Sequence, residues 1–225
     1  MMERTVVVAG GTGGLGRAVV AGFLGSGWRV VAPGRTEESV GRLGTDRWLA
    51  PIVADPFDPA GVADVVALAT SEVSAPLVAL VNLVGGFASG PRVHETPIEQ
   101  FEDQFRVNLR PTYLMTQAVL PHLLAAGRGA IVCTSSRAAV RPFSGAAGYI
   151  AAKAGVLAFA DALHAEYAKD GIRVNTVLPG TIDTAANRDA MPTADTSAWS
   201  SPEQIAGVIR ALVETDGFAG GHYPV

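Results

Sequence analysis

The chain has 225 residues, of which 48% are hydrophobic and 17% are charged, and its formal net charge is −4. This length and composition predict one globular domain with a full core, and they exclude a disordered chain. There is no basic block to bind nucleic acid or an anionic membrane, and a single cysteine cannot build a disulfide framework.

The first residues, "MMERTVVVAGG", enter a strand and then a glycine turn, without the apolar stretch of a signal peptide. No apolar run reaches the roughly 18 residues that a membrane helix requires. We therefore expect a cytoplasmic protein whose partners are neither membranes nor nucleic acids.

Short apolar runs alternate with longer segments of helical period along the whole chain. The predicted strands are Val6–Ala9, Arg29–Ala32, Leu49–Ala54, Leu77–Asn82, Ala130–Thr134, Arg173–Leu178 and Gly220–Pro224. The predicted helices are Leu15–Ser26, Glu37–Leu43, Pro59–Ser74, Ile98–Ala125, Tyr149–Lys169 and Pro202–Glu214. This alternation predicts an α/β fold in which helices cover both faces of a doubly wound, parallel, seven-stranded sheet. Residues 184–200 form a longer connection than the fold needs, and we expect a lid over a site there.

A glycine-rich loop follows the first strand. Five glycines fall within residues 10–16, "GGTGGLG", between that strand and the first helix. Such a loop allows a tight turn, brings backbone N–H groups close to a pyrophosphate and places the anion at a helix N-terminus. The loop predicts a dinucleotide site, and the alternative is a glycine-rich turn without a ligand.

The end of the second strand bears on the choice of dinucleotide. An acidic residue there would accept hydrogen bonds from the ribose 2′-hydroxyl of NAD, but this position holds Arg35 in "APGRTEE". A guanidinium instead grips a 2′-phosphate, so Arg35 favours NADP(H), with NAD(H) as the second choice. The alternative is that Arg35 is merely solvated.

Tyr149 and Lys153 lie four residues apart in "AGYIAAKAG", which puts both on one face of a helix. A phenol has a pKa near 10, and a neighbouring ammonium is expected to lower that pKa toward neutrality. Tyr149 then becomes a general acid and base, with Ser136 at the end of the fifth strand donating to a substrate oxygen. Ser135 is the residue before Ser136, and because successive strand residues face opposite sides, its side chain is expected to point away from the site. The alternative for the pair is an ordinary surface contact.

With these residues in place, the chain resembles the short-chain dehydrogenase/reductase family over nearly its whole length. The resemblance rests on six motifs in order: the glycine loop (with Ala9 where a threonine is usual), "NLVGG" at 82–86, "VNL" at 107–109, "TSS" at 134–136, Tyr149-x-x-x-Lys153 and "PGTIDT" at 179–184. It implies a single Rossmann-fold domain over residues 1–225 and a homodimer or homotetramer. It also implies the catalytic tetrad Asn108, Ser136, Tyr149 and Lys153, in which Asn108 anchors a water that links Lys153 to solvent.

The resemblance further implies the residues that hold the cofactor. Ile182 and Thr184 would meet the nicotinamide carboxamide, and Lys153 would hold the nicotinamide ribose. Asp55 would meet the adenine, although a turn role before Pro56 is an equal alternative, and the role of Asn82 is partly structural. The implied set is Gly10, Thr12, Gly14, Leu15, Gly16, Arg35, Asp55, Asn82, Val84, Gly85, Tyr149, Lys153, Pro179, Gly180, Ile182 and Thr184.

Residues 183–199 also resemble the corresponding region of dihydropteridine reductases, which carry a similar D-T-x-x-N-R…M-P-x-A-D-x-S-x-W pattern. We interpret the shared stretch as a subfamily lid; a packed surface loop with Trp199 as its anchor is the alternative. Four arginines near the expected pocket are candidates to recognise an anionic substrate, the alternative being that they are solvated: Arg92, Arg137, Arg141 and Arg188. The four histidines show no metal-ligand spacing.

The sequence thus predicts an NADP(H)-dependent oxidoreductase that interconverts a carbonyl and an alcohol, with Tyr149 as the acid and base. One alternative is a reductase of quinonoid dihydropterin or another C=N substrate. The other is a regulator that senses NADP(H) without turnover. The sequence does not specify the substrate, its stereochemistry or the physiological direction.

Overall fold

The structure, a computed structural model, describes residues 4–225. Seven strands form one all-parallel sheet in the order β3-β2-β1-β4-β5-β6-β7. The strands are β1 (Thr5–Ala9), β2 (Arg29–Gly34), β3 (Leu49–Val53), β4 (Leu77–Asn82), β5 (Gly129–Thr134), β6 (Ile172–Leu178) and β7 (His222–Pro224). The helices are α1 (Gly14–Gly25), α2 (Glu37–Gly41), α3 (Pro59–Thr70), α4 (Ile98–Asn108), α5 (Arg110–Ala126), α6 (Ala147–Tyr167), α7 (Ala185–Ala190) and α8 (Pro202–Glu214). The predicted fold class is confirmed.

The sheet is buried on both faces, as the continuous apolar runs predict. Alternate residues of β1 enter different cores: Val6 and Val8 pack with α1 and α8, whereas Val7 and Ala9 pack with α3, α5 and α6. Because side chains alternate along a strand, a strand that is apolar throughout fills two cores at once. The helices therefore hold the sheet rigidly, and its carboxyl edge forms a firm base for a site.

The predicted single helix Ile98–Ala125 is wrong, because α4 ends at Asn108 and α5 begins at Arg110. Pro111 has no N–H to donate to the carbonyl of Val107, four residues earlier, so the run of helical hydrogen bonds is interrupted at this point. Pro121, in contrast, is accommodated inside α5. The break leaves Asn108 at a helix end, where its side chain reaches a neighbouring loop.

The predicted lid is partly regular. Residues 185–190 form α7, and a parallel bridge between Ile182 and Ser200 closes the base of the segment. The backbone N–H of Asp183 donates to the backbone carbonyl of Ser200 at 2.9 Å, and the backbone N–H of Ser200 donates to the backbone carbonyl of Thr181 at 3.1 Å. The segment is thus a closed loop whose two ends stay together.

The strand order changes direction between β1 and β4. From β1 the chain continues to β2 and β3 on one side, and from β4 it continues to β5, β6 and β7 on the other. In open parallel sheets, ligands bind in the crevice at the carboxyl ends of the strands beside such a point. Within residues 4–225, no helix has the length and apolar character needed to cross a membrane.

Candidate active site

The loop from β1 to α1 is tightly folded, and its backbone lies close to residues 83–84, which follow β4. Gly10 has a φ of +87°, a left-handed conformation that favours glycine. A Cβ on Gly16 would meet the carbonyl oxygen of Gly10 and would come within 2.7 Å of the Cα of Gly11. Gly13 is the N-cap of α1 and provides no side-chain hydrogen bond. The first N–H groups of α1 therefore face the crevice with no side chain to satisfy them, which suits an anion.

The end of β2 lies directly beside this loop. A Cβ on Gly34 would come within 2.8 Å of the Thr12 methyl group, so the glycine loop and the β2 end share one wall. Arg35 follows at the surface, and its guanidinium has no hydrogen bond or ion pair to any residue in 4–225. Arg35 is therefore an uncompensated cation beside the dinucleotide loop.

Two residues of the implied cofactor set have their side chains engaged elsewhere. The side chain of Asn82 lies inside the protein, where its amide donates to the Thr116 hydroxyl at 3.1 Å and to the Cys133 sulfur at 4.0 Å. Asp55 Oδ1 accepts the backbone N–H of Phe57 at 3.0 Å, which is an Asx turn. The Asn82 side chain thus ties β4 to α5, and the Asp55 carboxylate serves the turn before α3.

Lys153 is 5% exposed and lies on the inner face of α6. Its Nζ donates to the carbonyl oxygen of Thr134 at 3.1 Å. Burial lowers the pKa of Lys153 to about 8, and Cys133 opposes this lowering. Burial also raises the pKa of the Cys133 thiol to about 12, so this thiol stays neutral. Lys153 is consequently able to gain and lose a proton close to neutral pH.

The pKa of Tyr149 moves in the direction opposite to the sequence expectation. Burial raises the pKa of the phenol, and a hydrogen-bonding contribution from the Ser136 side chain acts in the lowering direction. The Lys153 Nζ lies 6.0 Å from the centroid of the Tyr149 ring and donates to Thr134. Burial of the phenol is the largest cause, so the direction of the shift is set by desolvation and not by the lowering that the sequence predicts from Lys153.

The two adjacent serines take different roles. Ser135 is buried, and its hydroxyl donates to the backbone carbonyl of Lys153 at 2.7 Å. Ser136 Oγ accepts the backbone N–H of Ala138 at 3.1 Å, which starts a short 3-10 turn. The Ser136 hydroxyl proton is therefore still available for donation to another group. Ser135 instead ties α6 to the end of β5.

Asn108 is fully buried and holds the segment after β4. Its Oδ1 accepts the Gly86 N–H at 3.1 Å, and its Nδ2 donates to the carbonyls of Gly86 and Gln104, both at 3.0 Å. A Cβ on Gly85 would lie 2.7 Å from Asn108 Oδ1 and 3.0 Å from Lys153 Nζ. Asn108 Oδ1 and Lys153 Nζ therefore both lie close to residue 85, which must be small to leave room for them.

These groups face a cleft of about 640 Å³ at the carboxyl edge of the sheet. Its wall includes the implied cofactor residues Leu15, Gly85, Pro179, Gly180 and Ile182, together with Ser136, Tyr149 and Lys153. A second cavity of about 780 Å³ lies on the other side of Tyr149, between the start of α4 and the start of α6. Tyr149 lines both cavities, so its side chain is accessible from each of them.

Sequence reasoning missed an aromatic wall of the cleft. Phe87 lies edge-on to Tyr149 at 5.0 Å between ring centroids, and Phe143 lies 6.3 Å from Phe87. Both phenylalanines are at least half exposed. Their position in the sequence was the signal that could have found them, because each lies in the segment that follows a strand ending at the site.

The lid segment makes its contacts largely within itself. Thr184 caps α7 by accepting the Asn187 N–H at 3.2 Å, and the Asn187 amide donates to the Ile182 carbonyl at 2.8 Å. Arg188 forms a two-point ion pair with Asp183, with one contact of 2.7 Å, which lowers the pKa of that carboxyl. Residues of the stretch that resembles dihydropteridine reductases therefore hold segment 182–188 in its conformation. Thr184 also packs its methyl group over Gly14 and so links the lid to the glycine loop.

The four candidate arginines are separated by the structure. Arg137 and Arg141 line the cleft, and Arg188 is paired with Asp183. Arg92 lies in neither cavity wall. Only Arg137 and Arg141 are placed where they would meet a ligand of the cleft.

Comparisons with known proteins agree with this geometry. The family model described as "short chain dehydrogenase" matches residues 4–195. The 2-(R)-hydroxypropyl-CoM dehydrogenase of Xanthobacter autotrophicus is 36% identical over 191 residues, which cover 81% of this chain and 76% of that protein. The acetoacetyl-CoA reductase of Paracoccus denitrificans is 30% identical, covering 98% of this chain and 95% of that protein.

Solved structures show the same fold. An oxidoreductase of the short chain dehydrogenase/reductase family from Burkholderia thailandensis has a TM-score of 0.88 and 30% identity, covering all of this chain and 92% of that one. The structure of ElxO with NADP bound has a TM-score of 0.91 and covers all of this chain and 97% of that one, at 23% identity. On its fold, its motifs and the matching family model, this chain belongs to the short chain dehydrogenase family of oxidoreductases.

Proposed function

We propose that this protein is an NADP(H)-dependent oxidoreductase that interconverts a carbonyl and an alcohol, with Tyr149 as the general acid and base. The observation that carries the proposal is the meeting of Ser136, Tyr149 and Lys153 in one cleft wall beside the glycine loop. If Tyr149 and Lys153 were only an ordinary surface contact, the ammonium of Lys153 would be in water. Lys153 is instead buried at the end of β5. Burying an ammonium is costly, so its retention favours a chemical role.

The residues that would hold the dinucleotide fit that group. The tight Gly10–Gly16 backbone and the uncapped start of α1 suit a pyrophosphate, and the uncompensated Arg35 suits a 2′-phosphate. The structures of ElxO with NADP bound and of a 3-ketoacyl-(acyl-carrier-protein) reductase from Brucella melitensis complexed with NADH support a nicotinamide cofactor for this chain. When bound, the nicotinamide dinucleotide supplies the hydride. NADP(H) is the proposed form, with NAD(H) as the alternative.

Ser136 is proposed to orient the substrate oxygen. Its Oγ already accepts the Ala138 N–H, so its proton is directed to an acceptor such as a carbonyl or an alkoxide. This donor strengthens as negative charge develops on the oxygen in the transition state. Tyr149, beside it, gives its proton to the same oxygen during reduction and takes it back during oxidation.

Lys153 and Asn108 are proposed to return the proton to Tyr149. The pKa of Lys153, about 8, suits proton exchange near neutrality, whereas the raised pKa of Tyr149 keeps the phenol protonated and ready to act as an acid. Asn108 Oδ1 and Lys153 Nζ meet at Gly85. We propose that Asn108 positions the segment 85–86 and anchors a water at this point, through which Lys153 exchanges protons with solvent.

Replacing Tyr149 by Phe tests the acid and base directly. We expect turnover to fall by about 10²–10⁴-fold, which is typical for loss of a general acid, while NADPH binding is retained. The assay follows the loss of NADPH absorbance with a panel of ketones, aldehydes, quinones and a quinonoid dihydropterin, and fluorescence titration measures NADPH binding. Near-normal turnover would overturn the role of Tyr149. If the wild-type protein binds NADPH tightly but turns over none of these compounds, the regulator that senses NADP(H) is favoured. If it turns over only the pterin, the dihydropterin reductase is favoured.

Replacing Arg35 by Ser tests the cofactor preference. Loss of a charged hydrogen-bond partner for the 2′-phosphate is expected to raise the KM for NADPH by about 10–100-fold. The KM for NADH should change little, because NADH has no phosphate at that position. Arg47→Ser, an exposed arginine after α2, is the matched control. An equal effect on both cofactors would show that Arg35 does not contact the 2′-phosphate.

A further inference from the structure

The cleft carries a positive charge that the proposed proton chemistry does not use. Arg137 and Arg141 line it beside Lys153, which the proposed proton chemistry does use, and no aspartate or glutamate is among the described residues of its wall. The chain as a whole has a net charge of −4, so the cleft is opposite in sign to the molecule. Arg137 and Arg141 are exposed, and a cleft lined by charges of one sign concentrates ligands of the other sign.

Arg137 and Arg141 are presented together. The backbone N–H of Arg141 donates to the carbonyl of Arg137 at 2.9 Å, which places the two residues one turn apart. Neither guanidinium has a hydrogen bond or an ion pair to any residue in 4–225. Like charges at this spacing repel each other weakly on an exposed surface, and an anion between or beside them would remove that repulsion.

The side chain of Arg137 packs on the segment that follows β6. A Cβ on Gly180 would lie 3.4 Å from Arg137 Nη1 and 3.6 Å from Arg137 Cζ, so the guanidinium packs over the Gly180 backbone. Arg137 also directly follows Ser136, whose hydroxyl faces the same cleft. The charge is thereby held beside the proposed proton donors.

The other two candidate arginines form a natural comparison. Arg188 is neutralised by the two-point pair with Asp183, and Arg92 lies outside the cavity walls. Of the four, only Arg137 and Arg141 combine a place in the cleft with an unpaired charge. Phe87 and Phe143 add an apolar surface in the same wall.

We propose that the substrate carries an acidic group, a carboxylate or a sulfonate, that binds to Arg137 and Arg141, together with an apolar portion that packs on Phe87 and Phe143. This inference rests on the proposed carbonyl–alcohol chemistry for the identity of the reacting group. A planar guanidinium fork matches an oxyanion through two charge-assisted hydrogen bonds.

The test compares charged and neutral probes of the same shape. Calorimetric titration in the presence of NADP+ measures the affinity of 4-phenylbutanoate and of its neutral amide. We expect the carboxylate to bind at least about tenfold more tightly, and we expect this preference to disappear in the double variant R137Q/R141Q. Arg92→Gln is the matched control and should keep the full preference. Equal affinities for the two probes, or an unchanged preference in the double variant, would overturn the inference.

Turnover supplies a second readout that separates this inference from the proposed function. The acids 2-oxo-4-phenylbutanoate, 4-oxo-4-phenylbutanoate and 5-oxo-5-phenylpentanoate are compared with their methyl esters under NADPH. The ratio of kcat/KM for acid over ester should fall by about tenfold in R141Q, mainly through KM. Turnover of the esters without any acid preference would leave the proposed function in place and overturn the inference. The sulfonate analogue 3-phenylpropanesulfonate, tested as an inhibitor, distinguishes the two acidic groups.

The cofactor phosphates are the competing target of these arginines. NADPH affinity is therefore measured for R137Q, R141Q and the double variant by fluorescence titration. A large loss of NADPH affinity with an unchanged preference for the carboxylate probe would assign the arginines to the cofactor and overturn the inference.

Discussion

Replacing Lys153 by Met is expected to stabilise the protein while destroying its turnover. Lys153 is buried, and its pKa falls from the ordinary 10.5 to about 8 because its charged form is desolvated. One pKa unit corresponds to 1.36 kcal/mol, so holding this ammonium inside the protein costs about 3 kcal/mol of folding free energy at neutral pH. Methionine is similar in length and carries no charge.

The variant also loses one favourable contact. The Lys153 Nζ donates to the Thr134 carbonyl at 3.1 Å, and leaving that carbonyl unpaired costs about 1 kcal/mol. The net expectation is a gain of about 2 kcal/mol in the free energy of unfolding at pH 7. For a chain of this size, that corresponds to a rise in Tm of about 4–8 °C.

The gain should depend on pH in a defined direction. Below pH 8 the lysine is protonated in both the folded and unfolded states, so the full penalty applies. Between pH 8 and 10.5 the unfolded chain binds the proton and the folded chain does not, so the wild type gains stability relative to Lys153→Met as the pH rises. Above pH 10.5 the penalty is gone, and only the lost hydrogen bond distinguishes the two proteins.

The assay is urea unfolding of both proteins at pH 6.5, 7.5, 9 and 10, without cofactor, because a bound ligand adds its own stabilisation. The other lysine of the chain, Lys169, is exposed and provides the control. Lys169→Met should change the free energy of unfolding by less than about 0.5 kcal/mol. The assignment of a desolvated ammonium would be refuted by a Lys153→Met variant that is less stable than wild type at pH 7. It would also be refuted if the difference in the free energy of unfolding between the two proteins stayed constant up to pH 10.

Two further predictions concern the glycine loop and a helix end. Gly16→Ala is expected to destabilise the protein by about 1–3 kcal/mol and to weaken NADPH binding, because the new Cβ would overlap the backbone of Gly10 and Gly11. Gly22→Ala in the same helix is the control: a Cβ there meets nothing within 4 Å, so a gain of about 0.5–1 kcal/mol is expected, and equal losses would contradict the packing argument. Arg173→Met should cost about 2–3 kcal/mol in urea unfolding, because the guanidinium donates to three backbone carbonyls at and just beyond the end of α8 at 2.7–2.8 Å. A loss no larger than that of the exposed Arg128→Met would show that those carbonyls are satisfied by water.

The strand and helix pattern was accessible from sequence because it depends on local periodicity. β4 and α8 have the predicted bounds, and most other elements differ by one to four residues at an end. The largest error joined α4 to α5. The signal was Pro111, but Pro121 carries the same signal inside an unbroken helix, so the residue type alone does not locate the break.

The proposed site residues were likewise named from the sequence, whereas the hydrogen-bond partners of their side chains were not accessible from it. The spacing of Tyr149 and Lys153 places them on one helix face, and the two serines differ in direction because strand residues alternate. The sequence does not reveal that Asn82 bonds within the core or that Asp55 serves a turn, because those contacts join distant elements or depend on the exact turn.

The sequence by itself determined the fold class, the dinucleotide loop and the four residues of the proposed proton chemistry, because each depends on local period or on spacing within one element. Only the tertiary structure decided the electrostatics of the site. The direction of the pKa of Tyr149 depends on burial, which the packing of α6 against the end of β5 creates. The same holds for the four arginines, which look alike in sequence. Folding pairs Arg188 with Asp183 and leaves Arg137 and Arg141 uncompensated in the cleft, because charge balance depends on neighbours brought together in space.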